Sequence, residues 1–282
     1  MNDITIVTAF FDIGRGNIST EHYPSHLKRT TNTYFEYFSY LATLDNNMVI
    51  FTEEKFKEKI LMMRKSKPTT VICLNIFEKF NHILAKIADI QSNHEFLSNI
   101  SKELSKNIEY WNSQYVLVTN LKTYFVNYAI NHTDINSPYV AWVDFGYVRN
   151  KETLNNIKQW RYPFSKNKLN LFSIKKHHVL NDEMDVLQAI YQNNVYIIGG
   201  SMIATSSIWK KFKDLVIQQQ TYLLNNNIVD DDQGVFMMCL YKQPELFQIN
   251  YLGRNQWFSL FKKYDETSRV SITEKIKDHF GL

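Results

Sequence analysis

The sequence predicts an α/β domain built on a mostly parallel sheet, and three observations carry that expectation. Residues Ile4 to Phe11 (ITIVTAFF) form a continuous apolar, β-rich run that empties into Asp12-Ile13-Gly14-Arg15-Gly16. A strand apolar on both sides belongs to a sheet covered on both faces, which is the habit of parallel sheets. MVIFT (Met48 to Thr52) and TTVICL (Thr69 to Leu74) repeat the pattern, separated by helical stretches long enough for right-handed crossovers. A fourth run, YVAWV (Tyr139 to Val143), stops at Asp144, and open α/β sheets place their ligands at the carboxyl ends of strands.

The remaining elements follow in order. Leu27 to Leu44 carries an aromatic-rich helical pattern, and a charged helical stretch lies between the second and third strands. Phe80 to Ile108 reads as helical with a polar face, and Trp111 to Ile130 as another helix. NHTDINSP (Asn131 to Pro138) is a loop by composition. After Asp144 come a strand-like LFSI (Leu171 to Ile174), a helix over Met184 to Tyr191, and VYIIGGSMIA (Val195 to Ala204) interrupted by paired glycines. A helix over Ile208 to Leu224 stops at Asn225-Asn226-Asn227, and an acidic turn at Val229 to Gln233 opens the apolar helix GVFMMCLY. No internal repeat or low-complexity linker divides the chain, so one domain is expected.

Composition excludes several classes. With 282 residues, 44% of them apolar, the chain can bury a sizeable core. Its 32 basic and 28 acidic residues leave a charge of +4, too even for a nucleic-acid footprint. No apolar run approaches the ~18 residues of a spanning helix, and nothing at the start reads as a signal peptide, so a soluble, cytoplasmic chain is expected. Cys73 and Cys239 lie inside apolar runs, as buried thiols do.

Four places carry polar groups the local pattern does not require. Gly14-Arg15-Gly16 would let backbone amides and a guanidinium approach a phosphate, although Ser19 stands where a dinucleotide fingerprint needs its third glycine. An ordinary tight turn also accounts for it. Lys122 shares a helical face with Val118, Phe125 and Ala129; it either snorkels to the edge of that stripe or offers its ammonium to a diphosphate. Asp144, followed by Gly146, can coordinate a divalent metal bridging two phosphates, or cap a turn. The Asp144-Phe145-Gly146 triplet lacks the other signatures of protein kinases. Asp230-Asp231-Asp232-Gln233 suits helix capping, and a buried carboxylate there would also suit a general base. Pro24 between His22 and His26 argues against a zinc-binding helix, and His177 and His178 on a strand face opposite ways.

Taken in order, ITIVTAFF with Arg15, Asn120-Leu121-Lys122, Trp142-Val143-Asp144-Phe145-Gly146, Gly199-Gly200-Ser201 and Asp231-Asp232-Gln233 resemble the HtrL/YibB-like family over about Ile4 to Phe261. That family resembles GT-A-type glycosyltransferases of bacterial surface polysaccharide synthesis. The resemblance implies one GT-A-like domain, a mixed, mostly parallel sheet flanked by helices. Its Rossmann-like nucleotide-sugar half would cover about 1–147, its acceptor and catalytic half 148–261, with a tail at 262–282. It implies that Thr8, Ala9, Phe10, Phe11 and Arg15 hold the nucleotide, that Lys122 reaches the donor, and that Asp144 is the first carboxylate of an Asp-x-Asp motif. The second carboxylate position is Gly146, a departure from the pattern. Gly199, Gly200 and Ser201 would lie against the donor sugar, with Gln233 beside the bases Asp232 and Asp231. Mn²⁺ or Mg²⁺ would sit on Asp144, with His279 folding back over it.

The implied activity is transfer of a hexose, galactose in pyranose or furanose form being the first to try, from a UDP-linked donor to a glycan of O-antigen, capsule or lipooligosaccharide. The metal, Lys122 and Arg15 would neutralise the leaving diphosphate, and in an inverting reaction Asp232 or Asp231 would deprotonate the acceptor. A sugar-phosphate nucleotidyltransferase is the main rival, distinguished by pyrophosphate release; a non-catalytic sugar-nucleotide or glycan-binding protein would bind donor without consuming it. The aromatic and lysine stretch Trp257 to Tyr264 either docks on the domain or touches a membrane carrying a lipid-linked acceptor at its inner face.

Overall fold

A computed structural model describes residues 2–176 and 180–267; His177, His178 and His279 lie outside the described residues. The strands are β1 (Ile4–Phe10), β2 (Met48–Thr52), β3 (Thr69–Cys73), β4 (Tyr139–Val143), β5 (Leu169–Ser173), β6 (Ile197–Ala204) and β7 (Phe247–Tyr251). They form one sheet in the order β3-β2-β1-β4-β6-β5-β7. β1 runs parallel to β2 and β4, β2 to β3, and β5 to β7, whereas β6 lies antiparallel to both β4 and β5. The architecture is therefore a mixed, mostly parallel α/β sheet flanked by helices.

Both faces are covered, which is why β1 is mostly apolar and its two threonines, Thr5 and Thr8, are buried. Val7 and Phe11 enter one core with Phe51, Phe125, Trp142 and Trp209. Ile4, Ile6 and Phe10 enter the other with Phe38, Phe145, Trp160 and Phe261. Helix α1 (Thr31–Leu41) starts four residues later than the aromatic pattern suggests, because Thr30 caps it, its Oγ1 accepting from the Thr33 N–H at 3.1 Å. Helix α2 (Lys57–Arg64) makes the next crossover. The first core is covered by α3 (Asn81–Gln91), α4 (Ser113–Asn120), α5 (Lys122–His132), α6 (Glu183–Tyr191), α7 (Ser206–Asn225) and α8 (Asp232–Lys242).

Arg64 ends α2 fully buried and, among the described residues, makes no ion pair with a carboxylate. Its guanidinium donates to the carbonyls of Ala42, Leu44, Asn46 and Pro68 and to Thr69 Oγ1, and burial pushes its pKa down to about 10. It ties the α1–β2 loop to the start of β3. Arg64→Met leaves these acceptors unsatisfied and is expected to cost roughly 3 kcal/mol or more, read from urea unfolding.

The long helical readings break at polar caps. Asn93 accepts from the Glu95 N–H at 2.8 Å and opens a separate turn after α3. Asn112 caps α4, and the expected Trp111–Ile130 helix divides at Leu121, so Lys122 becomes the first residue of α5. The sequence reading missed β7, although Phe247, Ile249 and Tyr251 alternate with Gln248 and Asn250 at the strand period. The paired glycines, expected to interrupt the Val195 to Ala204 run, lie within β6. There Leu171 pairs with Met202 and Phe172 with Ile198, so residues 199–201 face no residue of β5 and form a bulge.

Candidate active site

A cleft of about 600 Å³ opens at the carboxyl ends of β1 and β4. Three segments build its floor: the β4 end, the β6 bulge and the first turn of α8. Asp144 follows β4, and its N–H donates to the Gly200 carbonyl at 2.9 Å, fastening the strand end to the bulge. Gly199 is required there. A Cβ at position 199 would stand 1.7 Å from Asp232 Oδ2. Asp231 caps α8, accepting from the Gln233 N–H at 2.9 Å, and this turns Asp232 toward the bulge.

Lys122 joins the three segments. Its Nζ lies 2.9 Å from Asp144 Oδ1, 2.8 Å from Asp232 Oδ2 and 2.8 Å from the Gly199 carbonyl. An ammonium has three N–H groups, and all three are taken. Lys122 therefore neither snorkels nor presents a free cation; it orders two carboxylates. Burial disfavours its charge, but Asp144 and Asp232 outweigh that and hold the pKa above its ordinary value. Burial pushes the Asp232 carboxyl up to about 7 against the pull of Lys122, with Asp231 and Asp144 adding to the rise. Asp144 is more open, its side chain 41% exposed, and Trp142 Nε1 donates to its Oδ1 at 2.7 Å.

Behind the floor lies a second group of carboxylates. Burial raises Asp231 to about 6 and Glu109 to about 7, and raises Asp230 well above its ordinary value. A carboxyl whose folded pKa exceeds its unfolded one binds more protons when folded, so its contribution to stability falls as pH rises from the unfolded pKa to the folded one. Glu109→Gln keeps an acceptor for Asn193 Nδ2, which donates to Oε1 at 2.7 Å. We expect it to stabilise the protein by about 1–3 kcal/mol at pH 8 and by nothing measurable at pH 4, read as a pH series of denaturant midpoints.

The opposite wall is cationic and aromatic. Arg15 is buried, its Nε donating to the Leu27 carbonyl at 3.0 Å and an Nη to Tyr34 Oη at 2.8 Å. Arg29, Arg149, Tyr115 and Phe258 line the same cleft.

Of the residues singled out in the sequence, Ala9, Phe10, Phe11, Arg15, Lys122, Asp144, Gly146, Gly199, Gly200, Asp232 and Gln233 all border the cleft. Thr8 and Ser201 do not; both are buried within the sheet with hydroxyls unpartnered among the described residues. Asp231 caps α8 and does not line the cleft. Arg29 and Arg149 were missed, because single arginines in loops carry no periodic signal. Trp257 and Phe258 border the cleft, while Leu260 and Phe261 are buried in the second core.

For a dication, Asp144 Oδ2 is the fitting oxygen, having no protein donor among the described residues. Asp232 Oδ2 is held by Lys122, and no group of three His, Cys, Asp or Glu is placed to hold a metal ion among the described residues. A metal here would be a one-carboxylate site completed by phosphate oxygens and water. No helix among the described residues is long and apolar enough to cross a membrane.

The chain is thus an α/β protein with a cleft where parallel strands give way to antiparallel ones, a cationic wall facing an acidic floor. The chain belongs to the HtrL_YibB family, described as a bacterial protein of unknown function, which it matches over residues 2–266. Protein HtrL of Escherichia coli (strain K12) is 46% identical over 259 residues, covering 92% of this chain and 91% of that protein. Among solved structures, the apo form of mouse xyloside xylosyltransferase 1 is similar at 13% identity, 93% coverage of each chain and a TM-score of 0.43. The 4-diphosphocytidyl-2C-methyl-D-erythritol synthase of Anaerococcus prevotii is similar at 12% identity, covering 99% of this chain and 96% of that one, with a TM-score of 0.37.

Proposed function

We propose that the chain is a glycosyltransferase that moves a sugar from a nucleotide-diphosphate donor to a glycan hydroxyl by a single inverting displacement. One observation carries the reading: Asp232, buried at the cleft floor and raised to about 7, is oriented by Lys122 through Oδ2, and its Oδ1 has no hydrogen-bond partner among the described residues. A base poised near neutral pH is what deprotonation of a sugar hydroxyl requires. In the proposed step Asp232 takes the acceptor proton, the acceptor oxygen bonds to the anomeric carbon, and the bond from that carbon to the diphosphate oxygen breaks with its electron pair leaving on the phosphate. Mn²⁺ or Mg²⁺, held by Asp144, would add Lewis-acid stabilisation of the leaving diphosphate. A hexose such as galactose, a UDP-linked donor and an acceptor of surface polysaccharide are proposed on the family resemblance. Contact with a membrane bearing a lipid-linked acceptor would fall on Trp257 and Phe258 at the rim.

The test is a panel of nucleotide sugars assayed for donor consumption, with and without Mn²⁺ and with glycan acceptors. Release of nucleoside diphosphate from one donor, accelerated by an acceptor, supports the reading. Pyrophosphate release from a nucleoside triphosphate and a sugar phosphate, with no donor consumed, replaces it with a nucleotidyltransferase.

A further inference from the structure

The cleft distributes its charges unevenly, with Asp12 lining it besides the carboxylates of the floor. Its floor cation, Lys122, is matched by two carboxylates and has no donor to spare. Its wall carries three guanidinium groups, from Arg15, Arg29 and Arg149, and among the described residues none of them is ion-paired with a carboxylate. The partners that fix Arg15 are neutral, a carbonyl and a phenol. The Arg29 N–H donates to the Arg15 carbonyl at 3.3 Å, which sets the two residues side by side. The Arg149 guanidinium lies 4.4 Å from the Tyr37 ring centre and 5.0 Å from that of Phe258, and its buried Nε has no partner among the described residues.

Gly146 organises this wall. A Cβ there would come within 3.1 Å of Tyr34 and 3.5 Å of Tyr37. Tyr34 holds Arg15 and Tyr37 stacks on Arg149, so the glycine admits two tyrosines that each carry an arginine. The position where a metal motif would place its second carboxylate instead seats cations. Burial and the neighbouring Arg29 press the Arg149 pKa down, the sign of a cation cluster awaiting a counter-charge.

We infer that Arg15, Arg29 and Arg149 form the anion seat of the cleft and bind the diphosphate of a nucleoside-diphosphate ligand without requiring a divalent cation. The identity of the ligand rests on the glycosyltransferase reading; the anion seat rests on the charges alone. Guanidinium forks match phosphate oxygens two at a time, which a lysine ammonium cannot do.

The experiment is titration calorimetry of the full chain with inorganic pyrophosphate and with UDP, each in chelator and in Mn²⁺. Both are expected to bind in chelator. Arg149→Gln and Arg29→Gln should each weaken them by about tenfold or more, and Arg149→Lys by less than Arg149→Gln. Arg29 has no side-chain hydrogen bond or ion pair among the described residues, so its variant separates charge from folding, and thermal midpoints are compared alongside. Binding seen only with Mn²⁺, or unaltered by the arginine substitutions, overturns the inference. The two readings fail separately. Nucleotide sugar consumed with an unchanged KM in the arginine variants removes the seat and keeps the glycosyltransferase. Pyrophosphate bound through the arginines, with no nucleotide sugar consumed, keeps the seat and removes the glycosyltransferase.

Discussion

Lys122→Met is expected to lower stability by about 3–5 kcal/mol at pH 8, the range for removing one partner of a buried charge network. The loss comes less from the missing hydrogen bonds than from what stays behind. Asp232, buried at the floor, and Asp144 beside it become like charges with no cation between them, and the Gly199 carbonyl loses its donor. The sign of the pH dependence follows. Without Lys122 the Asp232 pKa rises further, so part of the loss is recovered as the pH falls and that carboxyl takes up a proton. The double variant Lys122→Met with Asp232→Asn should restore a substantial share of the stability at pH 8, because the stranded charge is gone. Equal midpoints for the wild type and Lys122→Met would remove the ammonium from its place at the centre of the floor.

Asp232→Asn is expected to reduce turnover by about 10²–10⁴-fold, the usual contribution of a general base, while donor affinity changes little. Asn can still accept from Lys122, so the floor geometry is retained while the proton acceptor is lost. The wild-type rate should rise with pH through about 7, since the base works only when ionised. Asp231→Asn, changed at the α8 cap, should alter stability more than turnover. A variant at Asp232 that loses donor binding and turnover in equal measure would show that the residue holds the donor and does not act as the base.

Much of the fold is legible in the chain because its signals are local. A strand apolar on both faces, such as Ile4 to Phe10, announces a sheet covered twice, and Asp144 stands out because a strand stops on it. Thr30, Asn93 and Asn112 open helices through their own side chains, a local signal that divides the long helical runs. The alternation of Phe247, Ile249 and Tyr251 would likewise have revealed β7.

Residues adjacent in the chain encode the parallel β1–β2–β3 half, the strand-end carboxylate, the paired glycines and the acidic turn. The sharing of Lys122 between Asp144 and Asp232, the bulge of residues 199–201 that admits Asp232, and the seating of two arginine-bearing tyrosines at Gly146 arise in the tertiary packing. Lys122 and Asp232 are 110 positions apart. No local propensity encodes such a meeting, because it is imposed by the packing of β4, β6, α5 and α8 around one buried charge.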